Sequence, residues 1–425
     1  MNVQLRDQID PRPAETALPS CRFCAAPLRH TFVDLGMSPL CESYVPAERL
    51  NAMEPFYPLH ARICERCLLV QLEEFVAADE IFTEYAYFSS YSDSWVAHAR
   101  AYVEMAIERF GLGPDSLVVE LASNDGYLLQ HVVERGIPAL GIEPAANVAV
   151  AAREKGIETV VEFFGRELAA RLVAEGRRAD LLAANNVMAH VPDLNDFVGG
   201  MEPLLAPHGV VTIEVPHLLR LVEDNQFDTI YHEHFSYFSF LTARKVLSAH
   251  GLEVFDVDEL STHGGSLRLY AQRRSSGRQA VCRSIEMLLE RERARGFDTL
   301  EGHAGFSARV EETKWRLLEF LIECRRQGKR VAGYGGPGKG NTLLNYCGIR
   351  TDLLEFTVDR NPYKQGQFLP GTHIPIRHPE ALEHARPDFI LILPWNLKEE
   401  IVAQLSYTRE WGARCVVPIP EVEVL

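Results

Sequence analysis

The chain has 425 residues, with 43 Lys and Arg against 59 Asp and Glu and a formal net charge of −16. That length accommodates two or three domains with ordinary cores. The acidic balance argues against a dedicated nucleic-acid binder, which would carry a basic footprint, and no apolar run is long enough to span a bilayer.

The opening residues, MNVQLRDQIDPRPAETALPS, are polar, charged and proline-rich, and lack the apolar stretch of a signal peptide. They read as the frayed leader of a cytoplasmic protein. Two paired cysteines follow, Cys21 and Cys24 in CRFC, then Cys64 and Cys67 in CERC; Cys41, Cys282, Cys324, Cys347 and Cys415 are isolated. Two Cys-x-x-Cys turns converge on one metal, and four thiolates close a tetrahedron. A structural zinc is therefore expected in an N-terminal domain spanning residues 1–95. A redox reading would need a thioredoxin-like context, which is absent. Cys41 is expected to be a buried free thiol, with replacement of one zinc ligand as the alternative.

From 96 to 275 short apolar runs alternate with amphipathic helical runs. LVVEL, PALGIEP, ADLLAANN and GVVTIEVP read as strands of a parallel sheet covered by helices on both faces. LEVFDVDEL and SLRLYAQR are joined by STHGG, too short for a crossover, so they should pair antiparallel. A charged helical stretch precedes KRVAGYG, EFTVD, FILILPW and ARCVVPI, a second and smaller α/β unit in a domain of residues 276–425. The fold class expected is α/β with two Rossmann-like units behind a zinc-binding domain.

SLVVELASNDGYLLQ reads strand, turn, helix, with Glu120 near the strand end. Its turn, Ala122-Ser123-Asn124-Asp125-Gly126, stands where nucleoside-binding folds place glycines. Ala122 and Asn124 occupy positions where glycine is common. Glu143-Pro144 closes the next strand, about 20 residues on, where an acid suits the two hydroxyls of a ribose. Asn185 and Asn186 close a third strand. His190 follows them as a positioning or structural residue. Without G-x-G-x-x-G, these landmarks fit a class I S-adenosylmethionine methyltransferase better than a nicotinamide enzyme; an ordinary α/β turn with polar strand ends is the plain alternative.

A second glycine turn, KRVAGYGGPGKGNTLL, satisfies G-x-G-x-x-G at Gly333, Gly335 and Gly338, and Asp359 closes the following strand. Gly340 replaces the Ser or Thr of a nucleotide-hydrolysing loop, which excludes that reading. An NADPH site, a helix-packing turn, and a cradle for a substrate diphosphate remain. In the last, glycine amides and Lys339 hold the phosphates, with Tyr334 and Asn341 as neighbours.

The sequence Tyr231-His232-Glu233-His234 carries the densest chemistry. Two histidines two apart on an extended segment would point the same way. No third metal ligand is evident, and H-E-x-x-H is not satisfied, so a metal site is the weakest reading; a catalytic base with its helpers and a structural polar cluster remain, and spacing alone does not choose between them. CRFC…CERC, EYAYFSSYS, VELASNDGYLL, ANNVMAHVPDL, IYHEHFSYFS, THGGSLR and GYGGPGKGNTLLNYCGI occur in that order. This ordered set, from Cys21 to the C-terminal strand, resembles the three-domain sugar C-methyltransferases of deoxysugar biosynthesis.

The resemblance implies a zinc-binding N-terminal domain, a central methyltransferase domain and a C-terminal Rossmann-like domain. It implies methylation at the carbon beside the ketone, C-3, of a nucleotide-linked 4-keto deoxysugar, with a dTDP link and a place in antibiotic biosynthesis. It implies His234 as base, Tyr231 and Glu233 as companions, and a tyrosine of EYAYFSS at the site: Tyr87, with Tyr85 as alternative. The chemistry is coherent. A C–H beside a ketone is acidic only because its anion spreads onto oxygen, so a base over the carbon and a donor near the oxygen are required. An imidazole, with an ordinary pKa of about 6.5, is largely neutral at pH 7. Two alternatives stay open: methylation combined with NADPH-dependent reduction of the ketone, and a zinc-ribbon adaptor with a degenerate methyltransferase fold. Oligomeric state is open, a monomer being compatible with everything above.

Overall fold

A computed structural model describes residues 18–77 and 89–425. Tyr85 and Tyr87 lie outside the described residues. Three sheets organise the chain. The first begins with β1 (His30–Ser38), β2 (Tyr57–Ile63) and β3 (Val70–Gln71), all antiparallel, with two register irregularities in β1.

Helix α1 (Asp93–Phe110) opens the second unit. The Ser92 side chain accepts from the Trp95 amide, Gly111 ends the helix at φ 66°, and Ala99, Tyr102, Val103 and Ala106 form its buried stripe. Strands and helices then alternate: β4 (Val118–Leu121), α2 (Leu129–Val133), β5 (Ala139–Ile142), α3 (Ala146–Glu154), β6 (Glu158–Val160), α4 (Arg166–Ala174), β7 (Ala179–Asn185), α5 (Leu194–Leu204), β8 (Leu205–Pro216) and α6 (Leu218–Glu223). After the two-residue β9 (Ser236–Tyr237) come α7 (Phe240–Ala249), β10 (Leu252–Leu260) and β11 (Ser266–Arg273).

The seven-stranded order is β10-β11-β8-β7-β4-β5-β6. β11 runs antiparallel to both neighbours, as the short STHGG connection requires, and the other pairings are parallel. The chain leaves β4 towards β5 and returns on the other side at β7. That reversal opens a crevice at the carboxyl ends of β4 and β7.

β9 does not join this sheet; Tyr237 and Ser236 pair with Val70 and Gln71 of β3. The stretch expected to be extended is not so at its histidines. Residues 231–234 form a tight turn, with the His234 amide donating to the Tyr231 carbonyl at 2.9 Å, and the strand begins only at Ser236.

Helices α8 (Arg283–Ala294) and α9 (Phe306–Arg326) lead to the third sheet. It contains β12 (Val331–Tyr334), then α10 (Gly338–Cys347), β13 (Thr357–Val358), β14 (Ile376–Arg377), β15 (Phe389–Ile392), β16 (Arg414–Val417) and β17 (Glu423–Val424). The order β14-β13-β12-β15-β16-β17 is parallel except for β17 and has its own switch point, between β12 and β15.

One apolar core joins the first sheet (Phe32, Leu59) to the third sheet (Ile390) and its helix α10 (Leu344) through Phe227 and Ile230. Another joins the cysteine turns (Cys21, Cys64) to the central sheet (Leu182, Ile213) through Phe238. Residues 227–238 therefore run between all three sheets. Each buried Leu or Phe side chain at these seams contributes about 1.5–3 kcal/mol, so the segment is held by packing before any polar contact is counted.

Candidate active site

The four paired cysteines meet. Their sulfurs lie within 4.8 Å of one another, with Cys21 and Cys67 at 3.5 Å and Cys24 and Cys64 at 3.5 Å. The two turns have the same build. The Ala25 amide donates to the Cys21 carbonyl, the Leu68 amide to the Cys64 carbonyl, and both residues take left-handed φ, 58° and 68°. Sulfurs of a tetrahedral zinc with bonds of about 2.3 Å sit at such separations, so the donor set fits a structural zinc. Cys41 is not among them: its buried thiol lies 3.6 Å from Glu233 Oε1. Arg22, inside the first cysteine turn, reaches the Pro192 carbonyl at 2.6 Å, bonds the Leu72 carbonyl, and lies over the Phe235 ring. The zinc turn thus grips residues two positions from His190 and one from His234.

The cofactor landmarks converge at the carboxyl ends of β5, β4 and β7. Ala122, Asn124 and Gly126 all take left-handed φ, 55°, 51° and 75°. The two residues that replace common glycines thus keep the glycine conformation. Glu143 ties the turn to the next strand: its carboxylate accepts from the Asn124 and Ala145 amides, each at 2.9 Å. Burial raises its pKa, and those two amides oppose the rise. Glu120 is buried, and burial, with Glu143 nearby, pushes its pKa well up while Tyr127 opposes the rise through a hydrogen bond. Pro144 lies immediately before Ala145, the N-cap of α3. Ser89, the first residue after the undescribed stretch, donates its amide to Asn124 Oδ1 at 3.0 Å.

Glu120 Oε2, Ser123 Oγ, Asn185 Oδ1 and both side-chain polar atoms of Asn186 are buried without a hydrogen-bond partner among the described residues. Unsatisfied polar atoms are costly, and their concentration at the switch point fits a polar ligand such as S-adenosylmethionine.

His190 follows β7 and meets the loop that carries His234. The Phe235 amide donates to the Ala189 carbonyl at 2.8 Å, a ring N–H of His190 donates to the Glu233 carbonyl, and the His190 and His234 ring centroids are 4.6 Å apart. Burial drops the His190 pKa to about 4, so the ring is neutral. His234 Nδ1 lies 2.9 Å from the Thr229 carbonyl. A carbonyl only accepts, so Nδ1 carries the proton and Nε2 presents the lone pair. Nε2 has no partner among the described residues. Burial holds the His234 pKa well below its ordinary value, and His190, His263 and Lys339 push the same way while the Thr229 carbonyl opposes. Tyr231 lies against His234 with centroids 4.1 Å apart.

The other two members of the motif point elsewhere. His232 Nε2 lies 3.2 Å from the Pro58 carbonyl, against Tyr57. Glu233 faces Cys41 and Glu42, and burial, aided by Glu42, lifts its pKa to about 7. The turn at 231–234 separates the side chains that an extended strand would have aligned.

At the second glycine turn Asp359 folds back on its own loop. It accepts from the Gly336 amide at 2.7 Å and the Asn361 amide at 2.8 Å. Residues of the N-terminal unit fill the space in front. Tyr44 donates to the Gly336 carbonyl at 2.6 Å, and a methyl group on Gly338 would meet Cys41 Sγ at 2.9 Å and Glu42 Oε1 at 3.1 Å. The Glu42 carboxylate stands at the N-terminus of α10, where a phosphate would otherwise bind. Asn341 Nδ2 donates to the Cys41 carbonyl at 2.5 Å, and the Tyr334 hydroxyl lies 2.8 Å from Gln404 Oε1. Lys339 is different: its ammonium lies 2.9 Å from Asn396 Oδ1 and over the Trp395 ring. Trp395 and Asn396, with Arg220, Gly264, Gly265 and Lys398, line a cleft of about 500 Å³ between the central and C-terminal units.

Two groups were not anticipated. Glu214 and Arg268 form a buried ion pair that the partly buried His98 joins, with Arg268 Nε 2.8 Å and His98 Nε2 3.1 Å from the Glu214 carboxylate. Trp95 stacks on His98 and on His263 of the THGG turn, with centroids 5.0 Å apart in each case. The second group is Asp228, which accepts from Trp395 Nε1 at 2.7 Å. The aromatic after FILILP, at the carboxyl end of a parallel strand, was its available sequence signal.

The sheet order, the ligand-facing strand ends and the four-cysteine cluster define a zinc-binding, S-adenosylmethionine-dependent methyltransferase. Three family profiles match: "Putative zinc binding domain" at residues 21–82, "Methyltransferase domain" at 95–257 and "C-methyltransferase C-terminal domain" at 261–420. C-methyltransferase NovU of Streptomyces niveus is 36% identical over 405 residues, 95% of this chain and 96% of the relative. The chain belongs to this family of C-methyltransferases. Among solved structures, the magnesium protoporphyrin IX methyltransferase of Synechocystis PCC 6803 with bound SAM is 16% identical, with TM-score 0.33, over 43% of this chain and 82% of that one. Among the described residues no helix is long and apolar enough to cross a membrane.

Proposed function

We propose that the enzyme methylates the carbon beside the ketone, C-3, of a nucleotide-linked 4-keto deoxysugar, with a dTDP link as the expected form. His234 Nε2 removes the proton from that carbon, and the electron pair moves onto the ketone oxygen. S-adenosylmethionine, when bound, supplies an electrophilic methyl group for the carbon of the resulting enolate. The observation that carries this reading is the His234 tautomer. Its Nδ1 proton is committed to the Thr229 carbonyl, burial keeps the ring neutral, and Nε2 is left as a base on a ring packed against His190, which follows the strand that carries Asn185. Tyr231 lies against the ring as a candidate donor to the enolate oxygen, a role also assigned to Tyr87.

Lys339 is the member of the expected diphosphate set that contacts residues of the interdomain cleft, Asn396 and Trp395. The glycine turn beside it is occupied by Glu42 and Tyr44, which weighs against a nicotinamide cofactor and a second, ketone-reducing activity. The domain limits 1–95, 96–275 and 276–425 remain part of this proposal. The test is methyl transfer from labelled S-adenosylmethionine to a panel of nucleotide-linked 4-keto deoxysugars and to their 4-hydroxy counterparts. Label bound to carbon in keto sugars alone is the expected result. Transfer to the hydroxy sugars at equal rate would exclude an enolate.

A further inference from the structure

The base is held from the far side by a chain of contacts that begins in the C-terminal unit. Lys339 Nζ sits 4.7 Å from the centroid of the Trp395 ring. Trp395 Nε1 donates to Asp228 Oδ2 at 2.7 Å. Asp228 is completely buried, and its other oxygen has no hydrogen-bond partner among the described residues. The Asp228 and Thr229 amides lie close enough to favour its charged form, while the Thr229 amide itself donates to the Gln226 carbonyl at 3.1 Å. The Thr229 carbonyl, one residue on, receives the Nδ1 proton of His234. A second bond from the same unit, Thr342 Oγ1 to the Ile230 carbonyl at 3.2 Å, fixes the residue after Thr229.

We propose that Asp228 and Trp395 are positioning residues that fix the tautomer and ring orientation of His234. The proposal rests on His234 being the base, the reading given above. A buried carboxylate is an expensive way to hold a loop, because well-packed apolar side chains do so without desolvating a charge. What the carboxylate adds is direction. It orients the Thr229 peptide, so the next carbonyl meets Nδ1 and leaves Nε2 for the substrate. Trp395 is the last strong link, and it lines the interdomain cleft. The same base is thereby built from two units of the chain: the central unit through His190 and the C-terminal unit through Trp395.

The charged and titratable groups facing this chain are Lys339 on α10, His190 after β7, His263 on the turn before β11 and Cys347 at the end of α10. Burial raises the Asp228 pKa to about 7, with Lys339 and Trp395 opposing.

The test compares Trp395→Phe, Asp228→Asn, Asp228→Ala and His234→Asn in the full-length holoenzyme. Three readouts are used: kcat and KM for both substrates, the pH dependence of kcat/KM, and the imidazole 15N signals of His234, assigned by their loss in His234→Asn. Trp395→Phe and Asp228→Ala should lower kcat roughly 10- to 100-fold, the size of loss that slight misplacement of a reacting group produces. KM for S-adenosylmethionine should stay unchanged, the acid limb of the profile should move, and the 15N signals should shift towards a mixture of tautomers. Asp228→Asn should recover much of the rate, because an amide oxygen still accepts from Trp395. The inference is overturned if Trp395→Phe and Asp228→Ala leave the 15N signals and the pH profile of the wild type in place, whether or not their melting temperatures fall. If His234→Asn itself retains turnover, the reading of the base fails instead, and the two failures are distinct.

Discussion

The two glycine-type turns of this chain differ in an instructive way. The turn after β4 has the weaker motif, with Ala122 and Asn124 where glycines are common, yet buried polar atoms around it are left for a ligand. The turn after β12 has a complete G-x-G-x-x-G, yet Asp359, Tyr44, Cys41 and Glu42 satisfy or cover it from within the chain. A motif records what the backbone must do locally. Whether a ligand can reach that backbone depends on residues distant in sequence. Both turns have the required geometry, and one of them is closed.

The largest separation between the turns should come from their acids. Glu143→Ala should weaken S-adenosylhomocysteine binding about 10- to 100-fold, the range set by losing a hydrogen bond to a charged group. Binding of the sugar nucleotide should be unchanged, and calorimetric titration of each ligand reads both. Asp359→Ala removes the corresponding acid from the closed turn. It should lower stability by about 1–3 kcal/mol, since two amides lose their acceptor, while leaving S-adenosylhomocysteine affinity intact. Equal loss of cofactor affinity in both variants would erase the distinction between the turns.

The plug of the closed turn has a pH signature. Burial, with Glu42 nearby, raises the Glu233 pKa to about 7, above an unfolded value of about 4.3. The folded state then binds the proton more tightly than the unfolded one. This contribution is complete below the unfolded pKa and is lost as pH rises towards 7. The buried histidines His190 and His263, depressed to about 4, act in the opposite sense as pH falls from about 6.5. Glu233→Gln removes only the first effect. Its melting temperature relative to the wild type should therefore rise between pH 5 and pH 8, and a flat difference would show that Glu233 is not buried as described.

The smallest expected effect sharpens the comparison from the open side. Ala122 holds a left-handed conformation that costs an alanine about 1–2 kcal/mol, part of which glycine returns through a freer unfolded chain. Ala122→Gly should stabilise the protein by about 0.5–1 kcal/mol in chemical denaturation, with cofactor affinity retained.

The parts legible in the sequence were those with a local cause. Four cysteines in two turns implied one metal. Alternating strands implied the central sheet, and a five-residue link implied the antiparallel pair β10 and β11. The strand ends at Glu143, Asn185 and Asn186 followed from the same alternation. The illegible parts depend on distant contacts. β9 is two residues long and completes a sheet whose other strands lie more than 160 residues earlier. The closure of the second glycine turn comes from residues 41–44, and the side-chain directions of His232 and Glu233 follow from a turn that no period reveals. Asp228 and Trp395 meet across 167 positions, so neither residue alone announced the pair.

The central claim is that His234 Nε2 takes a proton from the carbon beside a ketone. The most direct measurement is hydrogen exchange at that carbon. A 4-keto sugar nucleotide is incubated in deuterium oxide with S-adenosylhomocysteine and enzyme, so that the methyl acceptor forms but no methyl group is transferred. Wild-type enzyme should introduce deuterium at C-3 well above the uncatalysed rate, and His234→Asn should lose the exchange about 10²- to 10⁴-fold while still binding both ligands. Exchange of undiminished rate in His234→Asn would contradict the account.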